Sequence, residues 1–464
     1  MNQPFDHTLT RRSFIKNTGR FAAVSALAGL ALPNVHAAED NTLQVVLIGC
    51  GGRGTGAAMN ALSVNQGPVK LVAMADVFRD RLDSSYGALK GHPKAAQVDV
   101  PEDRKFIGFD AYQKAMDCLK PGDIVILTTP LAFRWVHFGY AIQKGLHVFM
   151  EKPLTADGPT SRRMLDLGKA ASAKNLKVGV GLMSRHMRSM QELAARIQDG
   201  AIGNPILLRG YRMHGPGGSA FATKWPGQPT ELLWQIRNFH SFIWASGGCF
   251  NDFYIHHVDH CCWMKNSWPV KAQALGARHY RNNPQGERCV DQNFDVYSVE
   301  YTFADGAKLI MDGRCINGCK QIYSSYAQGT KGNAIISSGG DCGAPSSLYL
   351  GRSPEPANLI WESQSHPGQD DPYQNEWNDL VDAIRNDRPY NEVERGVYAS
   401  AVSSLGRMAA HTGQELTLED FLKSDREYAP GVDQFKMDSP APVLADANGI
   451  YPVPEPGIKV NAEY

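Results

Sequence analysis

The feature that most constrains this chain is an apolar run that breaks into glycines. Leu43-Gln-Val-Val-Leu-Ile48 reads as a buried strand. It passes into Gly49-Cys50-Gly51-Gly52-Arg53-Gly54, and a helix-forming stretch follows from Ala57 to Leu62. Gly49, Gly51 and Gly54 spell GxGxxG in strand–turn–helix order. There the first glycine makes the turn, the second lets backbone N–H groups approach a pyrophosphate, and the third lets the helix pack on the strand. The helix N-terminus adds partial positive charge at the same point. A second apolar run, Val69 to Ala75, ends in Asp76, 22 residues after Gly54. A carboxylate there accepts hydrogen bonds from ribose hydroxyls and repels a 2′-phosphate. The chain is expected to bind a dinucleotide through Gly49, Gly51, Gly52, Arg53, Gly54 and Asp76, with NAD favoured over NADP. Arg79 and Arg81 keep NADP open, since either is able to meet a phosphate.

Strand and helix signals keep alternating. Asp123 to Thr129 is a strand that ends at Pro130, a helical stretch runs from about Phe133 to Lys144, and Gly145 to Met150 is the next strand. It runs into Glu151-Lys152-Pro153. Proline cannot donate to a ladder, so pairing ends there and Lys152 stands at the carboxyl edge of the sheet, where ligands bind in open α/β folds. A helix from Thr160 to Lys174 then leads to a strand over Lys177 to Gly181. This order fits a parallel sheet with right-handed crossovers.

The second half changes character. A helix from Arg185 to Gln198 precedes strands at Pro205–Tyr211, Val270–Ala277, Asp295–Phe303, Lys308–Cys315 and Gln321–Gln328, which suit an antiparallel sheet. His214 to Asn238 reads as an insertion near the cleft mouth, with Trp225 and Trp234 as sugar-stacking platforms or loop packing. Phe250 to Lys265 reads as a helix that carries Asp252, His256, Asp259 and His260 on one face. A metal site from Asp252, His256 and His260 is geometrically allowed, but nothing downstream supplies an open-site partner, so no metal is expected. Helices from Asn378 to Arg385 and Gly396 to His411 follow, then a Pro-rich extended tail from about Ala429, either loose or wrapped on a neighbouring subunit.

On Gly49-x-Gly51-x-x-Gly54, Asp76, Thr129-Pro130, Glu151-Lys152-Pro153, Asp199-Gly-Ala-Ile-Gly203, Gly247-Gly248 with Asp252-x-x-x-His256, and Gly329-Thr-Lys-Gly332, the chain resembles the Gfo/Idh/MocA oxidoreductases. These include glucose–fructose oxidoreductase and inositol dehydrogenase. The resemblance implies an α/β fold class: an N-terminal Rossmann dinucleotide-binding domain (41–182) plus a C-terminal α+β domain with a large, mainly antiparallel open sheet (183–428). A tail (429–464) follows, and a homodimer or homotetramer through the sheet is expected. It also implies that Thr129, Pro130, Glu151 and Lys152 contact the cofactor, with Lys152, Asp252 and His256 catalytic.

The chemistry of those residue types agrees. Oxidising a hydroxyl carbon requires a base for the hydroxyl proton, and a neutral His256 is suited to that. Lys152, partly desolvated near a positive nicotinamide, is expected to have a depressed pKa and to share the proton or polarise the carbonyl. Asp252 would orient the sugar or the imidazole. Arg185, His186, Tyr254 and Trp234 are expected to bind substrate. Two departures from the family pattern stand out. Tyr254 replaces a glycine between the Asp and His, and Leu131-Ala-Phe-Arg134-Trp135 replaces a histidine that follows Thr-Pro, leaving His137 displaced.

The net charge is zero, so charge gives no general attraction to nucleic acid or membrane. Thr10-Arg11-Arg12-Ser13-Phe14-Ile15-Lys16, an apolar run from Phe21 to Leu32 and Val35-His36-Ala37 read as a twin-arginine export signal over 1–37, hence a periplasmic protein. The nine cysteines form no CxxC pairs and are expected mostly as buried apolar side chains. The leading expectation is a periplasmic NAD(P)-dependent oxidoreductase acting on a sugar or cyclitol, with a tightly held cofactor. Alternatives are an NAD-dependent glycoside hydrolase, with Tyr254 or Tyr211 as an extra acid/base, and a non-catalytic sugar-binding protein.

Overall fold

The first sheet has six parallel strands in the order β3-β2-β1-β4-β5-β6. In the computed structural model, which describes residues 41–279, 282–283, 285–342 and 345–464, they are β1 (Leu43–Ile48), β2 (Val69–Asp76), β3 (Lys105–Ile107), β4 (Ile124–Leu127), β5 (His147–Met150) and β6 (Val178–Val180). The expected export signal lies outside the described residues. The order reverses between β1 and β4, the topological switch at which open α/β sheets bind ligands. Except for the edge strand β3, the strands are largely buried on both faces, which explains their nearly unbroken apolar sequence.

One face of this sheet packs on the Gly52–Leu62 helix through Ala57, Ala58 and Ala61. The same face is completed from far along the chain by Trp377, Leu380 and Val381 of the Pro372–Arg385 helix. That helix starts before the expected Asn378, because Asp371 caps it by accepting from Tyr373 N and Gln374 N, with Pro372 at the first helical position. The other face packs on Phe138 and Ala141 of the Arg134–Lys144 helix and on Val393 and Val397 of the Val393–Thr412 helix.

The second sheet has nine strands in the order β14-β13-β12-β11-β7-β10-β9-β8-β15. They are β7 (Pro205–His214), β8 (Lys271–Ala277), β9 (Val296–Thr302), β10 (Lys308–Cys315), β11 (Ile322–Gly329), β12 (Gly332–Ser337), β13 (Ser347–Leu350), β14 (Leu359–Glu362) and β15 (Leu416–Thr417). All neighbours pair antiparallel except β7 with β10. One face packs on the Gly248–Lys265 helix; Gly210 of β7 and Gly313 of β10 let His257 and Tyr254 of that helix lie against the strands. On the opposite face, Arg209 pairs with Asp312 and Lys308 with Glu300. That face is therefore charged as well as apolar.

The tail is extended, as its prolines require, and neither loose nor free to wrap a neighbour. Tyr451 and Glu463 are buried, and Glu463 pairs with the buried Arg407 at 2.8 Å. The tail is also held along its length, where Gln235 Nε2 donates to Val443 O at 2.7 Å and the Tyr451 hydroxyl donates to Glu231 Oε1 at 2.6 Å.

Candidate functional site

The glycine loop is built as its spacing requires. Gly49 has φ +95°, and a Cβ there would lie 2.7 Å from the Thr128 carbonyl carbon of β4. A Cβ on Gly54 would lie 2.1 Å from Gly49 O. Both positions exclude any side chain. A Cβ on Gly52 would meet open space, and no side chain caps the helix that starts there. Its first N–H groups thus face a cleft of about 510 Å³. This cradle fits a dinucleotide's pyrophosphate.

Asp76 lines the same cleft at the end of β2. Its carboxylate accepts from Cys50 N at 2.6 Å and Phe78 N at 2.9 Å, which fixes its position. Burial pushes its pKa up, against the pull of those hydrogen bonds and Arg81. Ribose hydroxyls would add donors that favour the charged form. Arg79 faces away and pairs with Glu102 at 3.1 Å, whereas Arg81 lines the cleft.

Thr129 and Pro130 line the cleft beyond β4, and Arg134 holds that strand end by donating to the carbonyls of Leu127 and Thr129. Glu151 and Arg53 also line it, but they face each other: Arg53 Nε lies 2.5 Å from Glu151 Oε1, and Nη2 lies 2.9 Å from Glu376 Oε1. Burial works against the Arg53 charge, and the two carboxylates outweigh it and raise its pKa. The pair ties the glycine loop to the end of β5 and to the Pro372–Arg385 helix.

Lys152, Asp252 and His256 converge on this cleft. Lys152 Nζ donates to the Asp252 backbone carbonyl at 2.7 Å and stands 3.6 Å from Asp252 Oδ1. Burial opposes the Asp252 charge, but Lys152 and a hydrogen bond from His240 bring its pKa down to about 2. Burial, then the nearby cations Lys152 and Arg212, hold His256 well below its ordinary pKa, so it is neutral at pH 7. Its Nδ1 has no partner within the protein.

Four expected substrate contacts are not at the cleft. Arg185 sits in a 3₁₀ turn (Met183–His186), not in the expected helix, and is bound to the buried Asp259 at 2.8 Å. His186 is buried between Asp379, at 2.7 Å, and Glu392, at 3.3 Å. Tyr254 is wholly buried beneath Gly313, with its hydroxyl 3.2 Å from Cys315 Sγ. Trp234 packs on Phe242 and Tyr451. Each of the four side chains meets an element other than its own. Trp225 donates to Pro229 O at 2.9 Å within its own loop. Tyr211 packs near Tyr326, outside the cleft, so neither tyrosine supplies the extra acid/base of the hydrolase alternative. His260 is buried away from the cleft and does not join Asp252 and His256 there. Among the described residues, no group of three or more His, Cys, Asp or Glu is arranged to hold a metal ion.

Sequence reasoning missed His240, Arg212, Asp341 and Phe253, which line the cleft. His240 follows directly on the stretch read as an insertion, and that location was its only signal.

No protein-family profile matches the chain. A scyllo-inositol 2-dehydrogenase (NAD(+)) of Bacillus subtilis is 29% identical over 197 residues, 41% of this chain and 48% of that protein. The chain spans about half the length of the first curated relatives it matches. Among solved structures, an aldose-aldose oxidoreductase from Caulobacter crescentus aligns with a TM-score of 0.59 at 17% identity, over 82% of this chain and all of the other. A levoglucosan dehydrogenase bound to NADH and levoglucosan aligns with a TM-score of 0.61 at 16% identity, over 81% and 99%. The fold is that of the Gfo/Idh/MocA dehydrogenases.

Proposed function

We propose that this chain is an NAD-dependent oxidoreductase that exchanges a hydride with a hydroxyl-bearing ring carbon of a sugar or cyclitol. The observation that carries this reading is the meeting of Lys152, Asp252 and His256 in the cleft that holds the glycine loop and Asp76. The scyllo-inositol 2-dehydrogenase (NAD(+)) relative supports it, and the cofactor in that enzyme's name supports NAD over NADP.

NAD, when bound, supplies hydride acceptance and donation at the substrate carbon. The chain supplies the rest. Asp76 would receive the ribose hydroxyls and the Gly51–Gly54 backbone the pyrophosphate. Lys152 polarises the substrate oxygen and holds its proton, steadied by the Asp252 carbonyl and carboxylate. His256, neutral and lining the cleft, would accept a hydrogen bond from the hydroxyl. Its depressed basicity suits it to orienting that proton rather than keeping it.

Export to the periplasm rests on the Arg11-Arg12 signal pattern. Assembly into a homodimer or homotetramer rests on the second sheet's uncovered face. A mature protein in that compartment would retain its nucleotide through export. The test is to purify it without added nucleotide, denature it, quantify released NAD(H), and then assay reduction of NAD with a panel of cyclitols and aldoses at 340 nm. About one NAD(H) per chain and turnover of at least one ring polyol are expected. Lack of nucleotide binding and of turnover across the panel would overturn the reading.

A further inference from the structure

Asp252 has a second partner that the hydride-transfer chemistry above does not use. His240 Nε2 lies 3.2 Å from Asp252 Oδ2, on the side away from Lys152, which stands nearest Oδ1. On the other side of its ring, His240 Nδ1 meets Ser219 Oγ at 3.1 Å and receives the Ser219 backbone N–H at 3.3 Å. A backbone N–H only donates, so Nδ1 carries the lone pair and Nε2 carries the proton. Nε2–H then points at a carboxylate held ionised. The ring is fixed in this pose. It packs on Phe253 with centroids 5.2 Å apart, and a Cβ on Gly218, at φ +52°, would lie 2.7 Å from its Nδ1. Ser219 is half-exposed and Gly218 exposed, while Asp252 and His256 are buried.

We infer that Ser219, His240 and Asp252 form a proton relay that connects Lys152 to solvent. The inference rests on the hydride-transfer reading. Reduction of a ring carbonyl to an alcohol takes up one hydride from the cofactor and one proton. Lys152 gives its proton to the carbonyl oxygen and is left neutral. His240 gives its Nε2 proton to Asp252 Oδ2 while Nδ1 gains one from solvent through the Ser219 hydroxyl. After a half-turn of the carboxyl group, Asp252 returns that proton to Lys152. The net change is one proton drawn from water, with Asp252 again ionised, Lys152 again charged and His240 neutral as its other tautomer. Alcohol oxidation runs the same steps backwards from that other tautomer and releases one proton to water, so one reduction and one oxidation together return His240 to its resting tautomer. The resting tautomer, set by Ser219 N–H, is the one poised to deliver a proton inward.

Two measurements on the full chain test this. Nitrogen-15 NMR of histidine-labelled protein with NAD added reads the tautomer without any substrate. The His240 signal, identified by its loss in His240→Asn, is expected to show protonated Nε2 and bare Nδ1; a protonated Nδ1 in the neutral ring overturns the relay even if the enzyme turns over. Kinetics use the ring polyol found active in the panel, or scyllo-inositol. His240→Ala is expected to lower kcat about 10²-fold, in the range of a proton-transfer group. NAD(H) content and KM should stay within a few-fold, and added imidazole should restore part of the rate. His240→Asn keeps a donor toward Asp252 but cannot pass a proton, so it should be as slow as His240→Ala. Wild-type rates in His240→Asn, or no rescue of His240→Ala by imidazole, would show that His240 only positions Asp252. A full panel without turnover counts against the oxidoreductase reading, while the NMR result still decides the geometry of the relay.

Discussion

Lys152 Nζ donates to the backbone carbonyl of Asp252 at 2.7 Å across 100 positions of sequence. One sheet edge and one helix of the other sheet's layer are joined by that bond. Loss of the Lys152 amine removes both this tie and the cation nearest the Asp252 carboxylate. Lys152→Ala is therefore expected to lower kcat by about 10³-fold, the scale of a positioned proton-transfer group. Bound nucleotide should remain, because the glycine loop and Asp76 do not depend on Lys152. Steady-state rates and released NAD(H) measure the two effects; unchanged turnover would remove Lys152 from the mechanism.

His186 gives a test of a corrected assignment. Burial opposes its charge, but Glu392 and the hydrogen bond to Asp379 overcome it and raise its pKa to about 9 from 6.5. A raised pKa means that the stabilisation is complete below pH 6.5 and lost as pH rises through about 9. His186→Gln should lower the denaturation midpoint at pH 6, and the gap from wild type should close above pH 9. The KM of any ring-polyol substrate should be unaltered, since His186 does not reach the cleft. A raised KM with unchanged stability would restore it to the substrate site.

The contrast between Gly54 and Arg185 marks what is legible in the sequence. Gly54 is fixed by backbone contact within one strand–turn–helix unit, so local spacing reveals it. The same holds for Asp76 and for Lys152 at a proline-terminated strand. Arg185 is positioned by Asp259, and Tyr254 by Gly313 and Cys315. Those partners come from other elements, so spacing carries no record of them. His240 was missed for the same reason: its role depends on Asp252 and on a turn at Ser219. The fold was more legible than the site because strand and helix periodicity is a local property. Strands β12 to β14 escaped notice because they are short or interrupted.

Asp76 carries the preference for NAD. Asp76→Ala removes an acceptor that would serve two ribose hydroxyls, and charge-assisted hydrogen bonds are each worth about 1.5–3 kcal/mol. With both lost, NAD should bind about 10²- to 10⁴-fold more weakly. NADP should gain relative to NAD, because Arg81 already lines the cleft. Titration calorimetry with each nucleotide reads both effects, and equal weakening of the two would detach Asp76 from the choice.

The last residues of the chain are anchored from within. Glu463 is fully buried and meets Arg407 at 2.8 Å and His411 Nδ1 at 2.7 Å. Burial works against its charge, yet Arg407 and His411 outweigh it and hold the carboxyl well below its ordinary range. Glu463→Gln leaves a buried guanidinium without a counter-ion, a change that costs about 3–5 kcal/mol. A depressed carboxyl pKa stabilises above the ordinary glutamate value of about 4.3, and the stabilisation is lost as pH falls below it. The variant should thus denature at markedly lower urea than wild type at pH 7, and the gap should narrow as pH falls below about 4, where the carboxyl of the unfolded wild-type chain takes up its proton while the folded one does not. The tail also carries Phe435, which packs against Phe109 and Phe133 of the cleft wall. Loosening its anchor should speed NAD(H) release as well as unfolding. Equal urea midpoints at pH 7 would mean that the Arg407–Glu463 pair contributes nothing to the fold.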